Sequence, residues 1–172
     1  MEISQRFLNL EGPIYSTMKE IIQDFLDDKK LAIVGASGKK ENFGRSIMTE
    51  LSKAGYEVYP VNPNCEQVEG IPCVPTVKDL PEEVKGVILA IPAALSEEVV
   101  SQCVGTPVKR VWMIKGMGRG AYSEEAHEIC KANNIDVVYG FCPMMFFGKG
   151  MHQFHLWLRK TFSKLPPEFS LN

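Results

Sequence analysis

What this sequence lacks narrows its chemistry before any motif is read. Its five cysteines (Cys65, Cys73, Cys103, Cys130 and Cys142) contain no C-x-x-C pair, so neither a zinc site nor a disulfide framework is signalled. The chain opens on "MEISQRFLNLEGPIYS", with an acidic second residue and no long apolar run. No secretory signal is therefore expected, and the odd number of thiols fits reduced cysteines in a cytoplasmic protein. No apolar stretch approaches the length of a membrane span. Positive charge is not in excess either: 19 Lys and Arg stand against 21 Asp and Glu, a net charge of −2. A general electrostatic affinity for nucleic acid or an anionic membrane is thereby excluded, and any anionic ligand must be met by local groups. Histidines number only three. His152 and His155 share a helix face, but no Cys or carboxylate completes a metal set beside them, so no metal site is expected. His127, between Glu124 and Glu128, reads as a solvated surface residue. There is no Ser-His-Asp order, nucleophile elbow or supported carboxylate pair, so no catalytic residue is named.

What is present is an ordinary globular composition, 45% hydrophobic and 23% charged over 172 residues. That is enough for one domain with a proper core. Thr17 and Glu20 have capping-box spacing at the start of a helix that buries Met18, Ile21, Ile22, Phe25 and Leu26. Leu31 to Val34 is a short, wholly apolar strand of the kind covered on both faces. A helix follows from about Phe43 to Ala54, ended by Gly55. "YEVYPV" is a second strand, expected to stop at Pro60, which cannot donate to a ladder. "IPCVP" reads as a short or edge strand and "TVKDLPEEV" as a helical turn. "GVILAIP", "VKRVWMI" and "IDVVYG" are further strands. Helices lie between them from Ser96 to Gly105 and from a Ser123 cap to Ala132, and "MHQFHLWLRKTF" is a last helix. Such alternation requires crossover connections. The expected fold is α/β, a doubly wound, mostly parallel sheet with helices on both faces, plus extra N- and C-terminal helices. Ligands of such sheets sit beyond the carboxyl ends of the strands. That rule selects the loops Gly35 to Asn42, Asn62 to Cys65, and Pro92 to Ser96.

In the first loop, Gly35, Ala36, Ser37 and Gly38 are four small residues in a row, as close backbone approach to a diphosphate requires. The following helix offers a partial positive end. Lys39 and Lys40 add charge, and Ser37 and Asn42 add polar contacts. A tight strand–helix turn with solvated lysines would carry the same residues. The pattern is neither G-x-G-x-x-G nor G-x-x-x-x-G-K-[ST]. The second strand ends in Pro60-Val61-Asn62-Pro63-Asn64, without the carboxylate that a nicotinamide dinucleotide's ribose would need. An NAD(P)-binding, oxidoreductase-like protein is therefore the alternative rather than the first reading.

Taken in order, "VGASGKKENFGRSIMTELSKAGYEVYPVNPN", "GIPCVPTVKDLPEEVKGVILAIP", "VWMIKGMG" and "FCPMM" resemble the CoA-binding, Rossmann-like domain family. That family is similar to the N-terminal, CoA-holding domain of the succinyl-CoA synthetase α subunit. The resemblance covers roughly Lys30 to Met145, so within the single domain expected from length the core over 30–146 is implied to bind CoA. An N-terminal arm and helix over 1–29 and a C-terminal helix and tail over 147–172 fall outside the match. The resemblance implies that Gly35, Ala36 and Ser37, followed by Gly38, lie against the diphosphate of coenzyme A or an acyl-CoA. Lys39 and Lys40 would be nearest its phosphates. Val61, Asn62 and Pro63 would border the nucleotide, while Ile91 and Pro92 would line the pantetheine path. The chain departs from the family's common pattern at Gly38-Lys39-Lys40-Glu41, where proline often stands. It departs again at Lys115, where an uncharged polar residue is usual. The expectation is a non-catalytic binder or accessory protein, alone, as a homo-oligomer or with an enzyme partner. The loop Lys115 to Gly120 could meet an acyl carboxylate or be a plain connection, and Cys142 could be a reactive or a buried thiol. Met144, Met145, Phe146 and Phe147 are expected in the core or at a subunit interface.

Overall fold

A strand that is apolar on both sides can only be central in a sheet covered on two faces. The computed structural model describes residues 17–115 and 120–147, and Leu31, Ala32 and Ile33 lie fully buried in it. They belong to β1 (Lys30–Val34), which α2 (Phe43–Lys53) connects to β2 (Glu57–Val61). A small antiparallel hairpin of β3 (Gln67–Val68) and β4 (Ile71–Pro72) comes next. The chain then runs through β5 (Gly86–Leu89), α3 (Ser96–Cys103), β6 (Arg110–Met113), α4 (Glu124–Ala132), β7 (Asp136–Tyr139) and the short α5 (Met144–Phe147). α1 (Met18–Asp27) precedes β1. The main sheet is wholly parallel in the order β2-β1-β5-β6-β7. The order reverses between β1 and β5, so right-handed crossovers send α2 to one face and α3 and α4 to the other.

Local signals set the helix ends. Thr17 Oγ1 accepts the amide of Glu20 at 3.3 Å, and Glu20 Oε2 accepts that of Thr17 at 2.7 Å; such a cap contributes about 1 kcal/mol. Ser123 Oγ accepts the amide of Ala126 at 3.2 Å at the start of α4. The core centres on Trp112, fully buried, whose Nε1 donates to Phe141 O at 3.2 Å. Phe25 of α1 and Phe146 of α5 meet its ring edge-on, at centroid distances of 5.3 and 5.6 Å. Phe147 packs on Tyr56 and Trp112, and Met144 is buried. The apolar run 144–147 is helical, with Met144 in the core and Met145, Phe146 and Phe147 partly buried against it.

Three expectations change. β2 does not stop at Pro60 but runs on to Val61. Glu57 N donates to Lys29 O, and Gly35 N to Val61 O, so residues 57 and 61 face β1. Pro60 alternates with them, and its missing N–H falls on the outer edge, where the ladder loses nothing. The short strand expected in "IPCVP" is present at Ile71–Pro72, but its pairing with Gln67–Val68 in a hairpin is new; the turn puts Glu69 at φ 51° and Gly70 at φ 79°. His127, expected in solvent, is half-buried in a cluster with the rings of Tyr122 and Tyr139. The N-terminal arm, the expected helix from 151 with His152 and His155, and residues 116–119 lie outside the described residues.

Two ion-pair clusters sit at the amino ends of the strands. Arg110 meets Asp28 at 2.9 Å and Asp24 at 3.7 Å, with Arg110 and Asp28 largely buried. Lys30 bridges Glu57 and Glu83 at 3.4 and 3.1 Å. Burial raises the Asp136 carboxyl above its ordinary range, against the opposing pull of Arg110.

Candidate functional site

At the carboxyl end of β1 the chain must leave the sheet beside β5, and the space there is small. Gly35 takes φ +93°, and a Cβ on it would lie 2.5 Å from Ala90 O and 2.7 Å from Ile91 Cγ2. Only glycine fits both the torsion and the gap. Gly44, in the first turn of α2, meets the loop just as closely: a Cβ there would stand 2.9 Å from Ala36 N and Cα. The helix therefore rests directly on the loop backbone. Gly38 differs, since the nearest atom to its notional Cβ is Gln67 O at 4.0 Å.

Two asparagines fix the loop. Asn42 is the N-cap of α2, its Oδ1 accepting from Arg45 N at 2.7 Å and from Ser37 N at 3.1 Å. Its Nδ2 donates to Gly35 O at 3.1 Å. Asn62, at the end of β2, donates through Nδ2 to Ala36 O at 2.9 Å and accepts Asn64 N through Oδ1 at 2.9 Å. The carbonyls of Gly35 and Ala36 are thereby held by side chains, and the Ser37 amide is occupied. The amides of Gly38, Lys39 and Lys40 form no hydrogen bond among the described residues. Lys39 and Lys40 are exposed and make no ion pair among those residues. Arg45, by contrast, is engaged with Glu69 and with Gly38 O, which joins the loop to the β3–β4 hairpin.

Beyond this edge lie two recesses. The larger, about 430 Å³, is walled by Val34, Gly35, Val61, Asn62, Pro63, Asn64, Pro75, Thr76, Val77, Ile91, Leu95, Glu98, Val99 and Gln102. The second, about 310 Å³, is lined by Lys39, Lys40, Glu41 and Asn42. Of the residues singled out by sequence, Gly35, Val61, Asn62, Pro63 and Ile91 meet in the larger pocket. Lys39 and Lys40 stand together in the separate cleft. Ala36, Ser37, Gly38 and Pro92 line neither; Ala36 is buried, and Pro92 is exposed at the start of a 3-10 turn over Ala93–Leu95. Sequence reasoning missed the α3 wall. Its signal was the spacing of Leu95, Glu98, Val99 and Gln102, which places them on one helix face.

The chemistry of the two recesses differs. Apolar walls, neutral amides and one exposed carboxylate, Glu98, suit an uncharged part of a ligand. The lysine cleft and loop amides suit phosphate oxygens. Cys142 is buried, and that burial raises its thiol, so it is poorly disposed to ionise. Lys115 is exposed, its amide bonded to Phe141 O at 3.2 Å. No group of three or more potential metal ligands occurs among the described residues. No helix among them is long and apolar enough to cross a membrane.

Comparison with known proteins agrees with this architecture. Residues 29–147 match the family described as "CoA binding domain". The ADP-forming acetate–CoA ligase II of Archaeoglobus fulgidus is 29% identical over 124 residues, covering 67% of this chain but 18% of the ligase. The chain thus spans about a fifth of the length of the ligases it matches. The uncharacterised protein YneT of Bacillus subtilis is 24% identical over 133 residues, covering 77% of this chain and 93% of YneT. The solved structure of a hypothetical protein from Pyrococcus horikoshii superposes with a TM-score of 0.68 at 34% identity, over 77% of this chain and 92% of that one.

Proposed function

The chain belongs to the CoA-binding domain family, and from that premise we propose that it binds coenzyme A or an acyl-CoA at the carboxyl edge of β1, β2 and β5 without itself transforming it. One observation carries the reading. Asn42 and Asn62 hold the Gly35 and Ala36 carbonyls, while the amides of Gly38, Lys39 and Lys40 and the Lys39 and Lys40 ammonium groups have no partner among the described residues. A carbonyl facing a phosphate would repel it; an amide or ammonium group attracts it. In this reading the diphosphate crosses Gly35–Lys40. Val61, Asn62 and Pro63 border the nucleotide, and Ile91 and Pro92 flank the pantetheine arm.

A nicotinamide dinucleotide is the second reading, and Glu98 favours it. The end of β2 lacks a carboxylate, yet α3 delivers one to the same pocket. Calorimetric titration with CoA, dephospho-CoA, NAD and NADP separates the two. CoA is expected to bind most tightly; NAD or NADP binding as well or better overturns the assignment. The relatives supply two settings for such a domain: within ligases several times its length, and in a protein little longer than the matched region. We therefore extend the proposal to delivery of CoA to a partner enzyme, in the cytoplasm. Co-purification with an enzyme supports delivery, and a chain isolated alone or as a homo-oligomer supports a free-standing binder.

A further inference from the structure

The five thiols fall into two groups. Cys103, Cys130 and Cys142 are core residues, and burial pushes Cys103 and Cys130 up to about 12. Cys65 and Cys73 are partly exposed and bracket the β3–β4 hairpin. Cys73 N donates to Glu66 O at 2.9 Å, which carries the hairpin pairing one step past Gln67 and Pro72 and brings both cysteines to its base. Cys65 Sγ donates to Gln67 O at 3.2 Å, and Cys65 is near enough to Cys73 across the hairpin base to raise its thiol. Asn62, Pro63 and Asn64, just before Cys65, form one wall of the larger pocket, and Pro75 and Thr76, shortly after Cys73, form another.

We propose that Cys65 and Cys73 are a reversible dithiol–disulfide pair, closed by exchange with a low-molecular-weight disulfide, and that the bond staples these two pocket walls together. The Cys65 thiolate attacks one sulfur of the small disulfide; that S–S bond breaks, one small thiol leaves, and a mixed disulfide remains on Cys65. Cys73 then gives up its proton, its sulfur attacks Cys65 Sγ, and the second small thiol leaves. Two protein thiols are oxidised and one small disulfide is reduced to two thiols, so atoms and electrons balance. The order follows from the site. Burial, and after it the neighbouring Cys65, push the Cys73 thiol up to about 11, which makes Cys73 a poor first nucleophile and suits it to act as the resolving sulfur.

The test treats the full chain with excess glutathione disulfide and reads the intact mass without reduction. Proteolysis after Glu69 puts the two cysteines on separate fragments. Expected is the loss of two hydrogens, with those fragments held together until a reductant is added. Cys73→Ser is expected to stop at one glutathione on Cys65, and Cys65→Ser to take up glutathione at Cys73 far more slowly. Retention of both thiols in the unaltered chain overturns the pair, as does a persistent glutathione adduct on Cys65 or a link to another cysteine. Stapling has its own readout. The Asn62 and Val74 amides, which bond across to Val74 O and Pro60 O, should exchange with deuterium more slowly in the oxidised form, and equal exchange in both forms overturns it.

Discussion

The two ends of the central sheet solve the problem of polar groups in opposite ways. At the amino ends, charge is matched by charge: Arg110 with Asp24 and Asp28, and Lys30 with Glu57 and Glu83. At the carboxyl ends of β1 and β2, neutral asparagines hold neutral carbonyls, and the lysines beside them are left unmatched among the described residues. An edge that neutralises its own charge has little left to offer an anion. The other edge is tethered by its asparagines and one ion pair, Arg45 with Glu69, yet leaves Lys39 and Lys40 without a partner among the described residues, as a site for an anion requires.

The contrast can be broken at four places. The largest effect is expected from Gly35→Val, because φ +93° and the 2.5 Å approach to Ala90 O both exclude a branched side chain. A loss of roughly 3 kcal/mol or more is anticipated, read by chemical denaturation; a variant as stable as the parent would show that the carboxyl edge is not rigid. Arg110→Ala comes next. It strands Asp28 in a largely buried position, and a loss of roughly 2–3 kcal/mol is expected, below the range for fully buried pairs because both groups retain some solvent. A loss near zero in the same assay would reduce the amino edge to a surface network. Asn42→Ala removes an N-cap and two loop tethers, for about 1–2 kcal/mol. CoA affinity should fall with it, and unchanged affinity by calorimetry would mean that the tethers do not organise the site. The smallest change in stability belongs to the double variant Lys39→Glu, Lys40→Glu, within about 0.5 kcal/mol of zero because both are exposed. Its CoA affinity should nevertheless drop at least about tenfold, roughly 1.4 kcal/mol, and the drop should shrink as salt screens exposed charge. Unaltered affinity would return both lysines to plain solvated residues.

Much of the fold could be read from the sequence because its strands are short, apolar and separated by helices with marked ends. Thr17, Asn42 and Ser123 cap helices that begin where the periodicity begins. The hairpin was opaque for a physical reason. Its strands are two residues long, and its turn places a glutamate in the left-handed region, which no propensity favours. The site was legible in part. The loop's small residues marked the place, but the role of Gly35 depends on Ala90, which is far along the chain and becomes a neighbour only once β1 and β5 pair. The separation of Lys39 and Lys40 from the Asn62 pocket likewise depends on the loop's path. Asn42 was read as a group for the ligand, whereas its side chain is committed to the loop itself.

Pro60 carries a last consequence, one that concerns encounters between copies of the chain. β2 is the outer strand of the sheet, and such edges invite a further strand from another molecule. Here an incoming strand would find no donor at Pro60. It would find the Pro60 carbonyl already accepting Val74 N, and the Asn62 amide already given to Val74 O. The residue that looks like a strand breaker is instead a guard. It lets β2 reach the pocket in full register with β1 while denying its outer rim to the cross-strand addition that seeds aggregation.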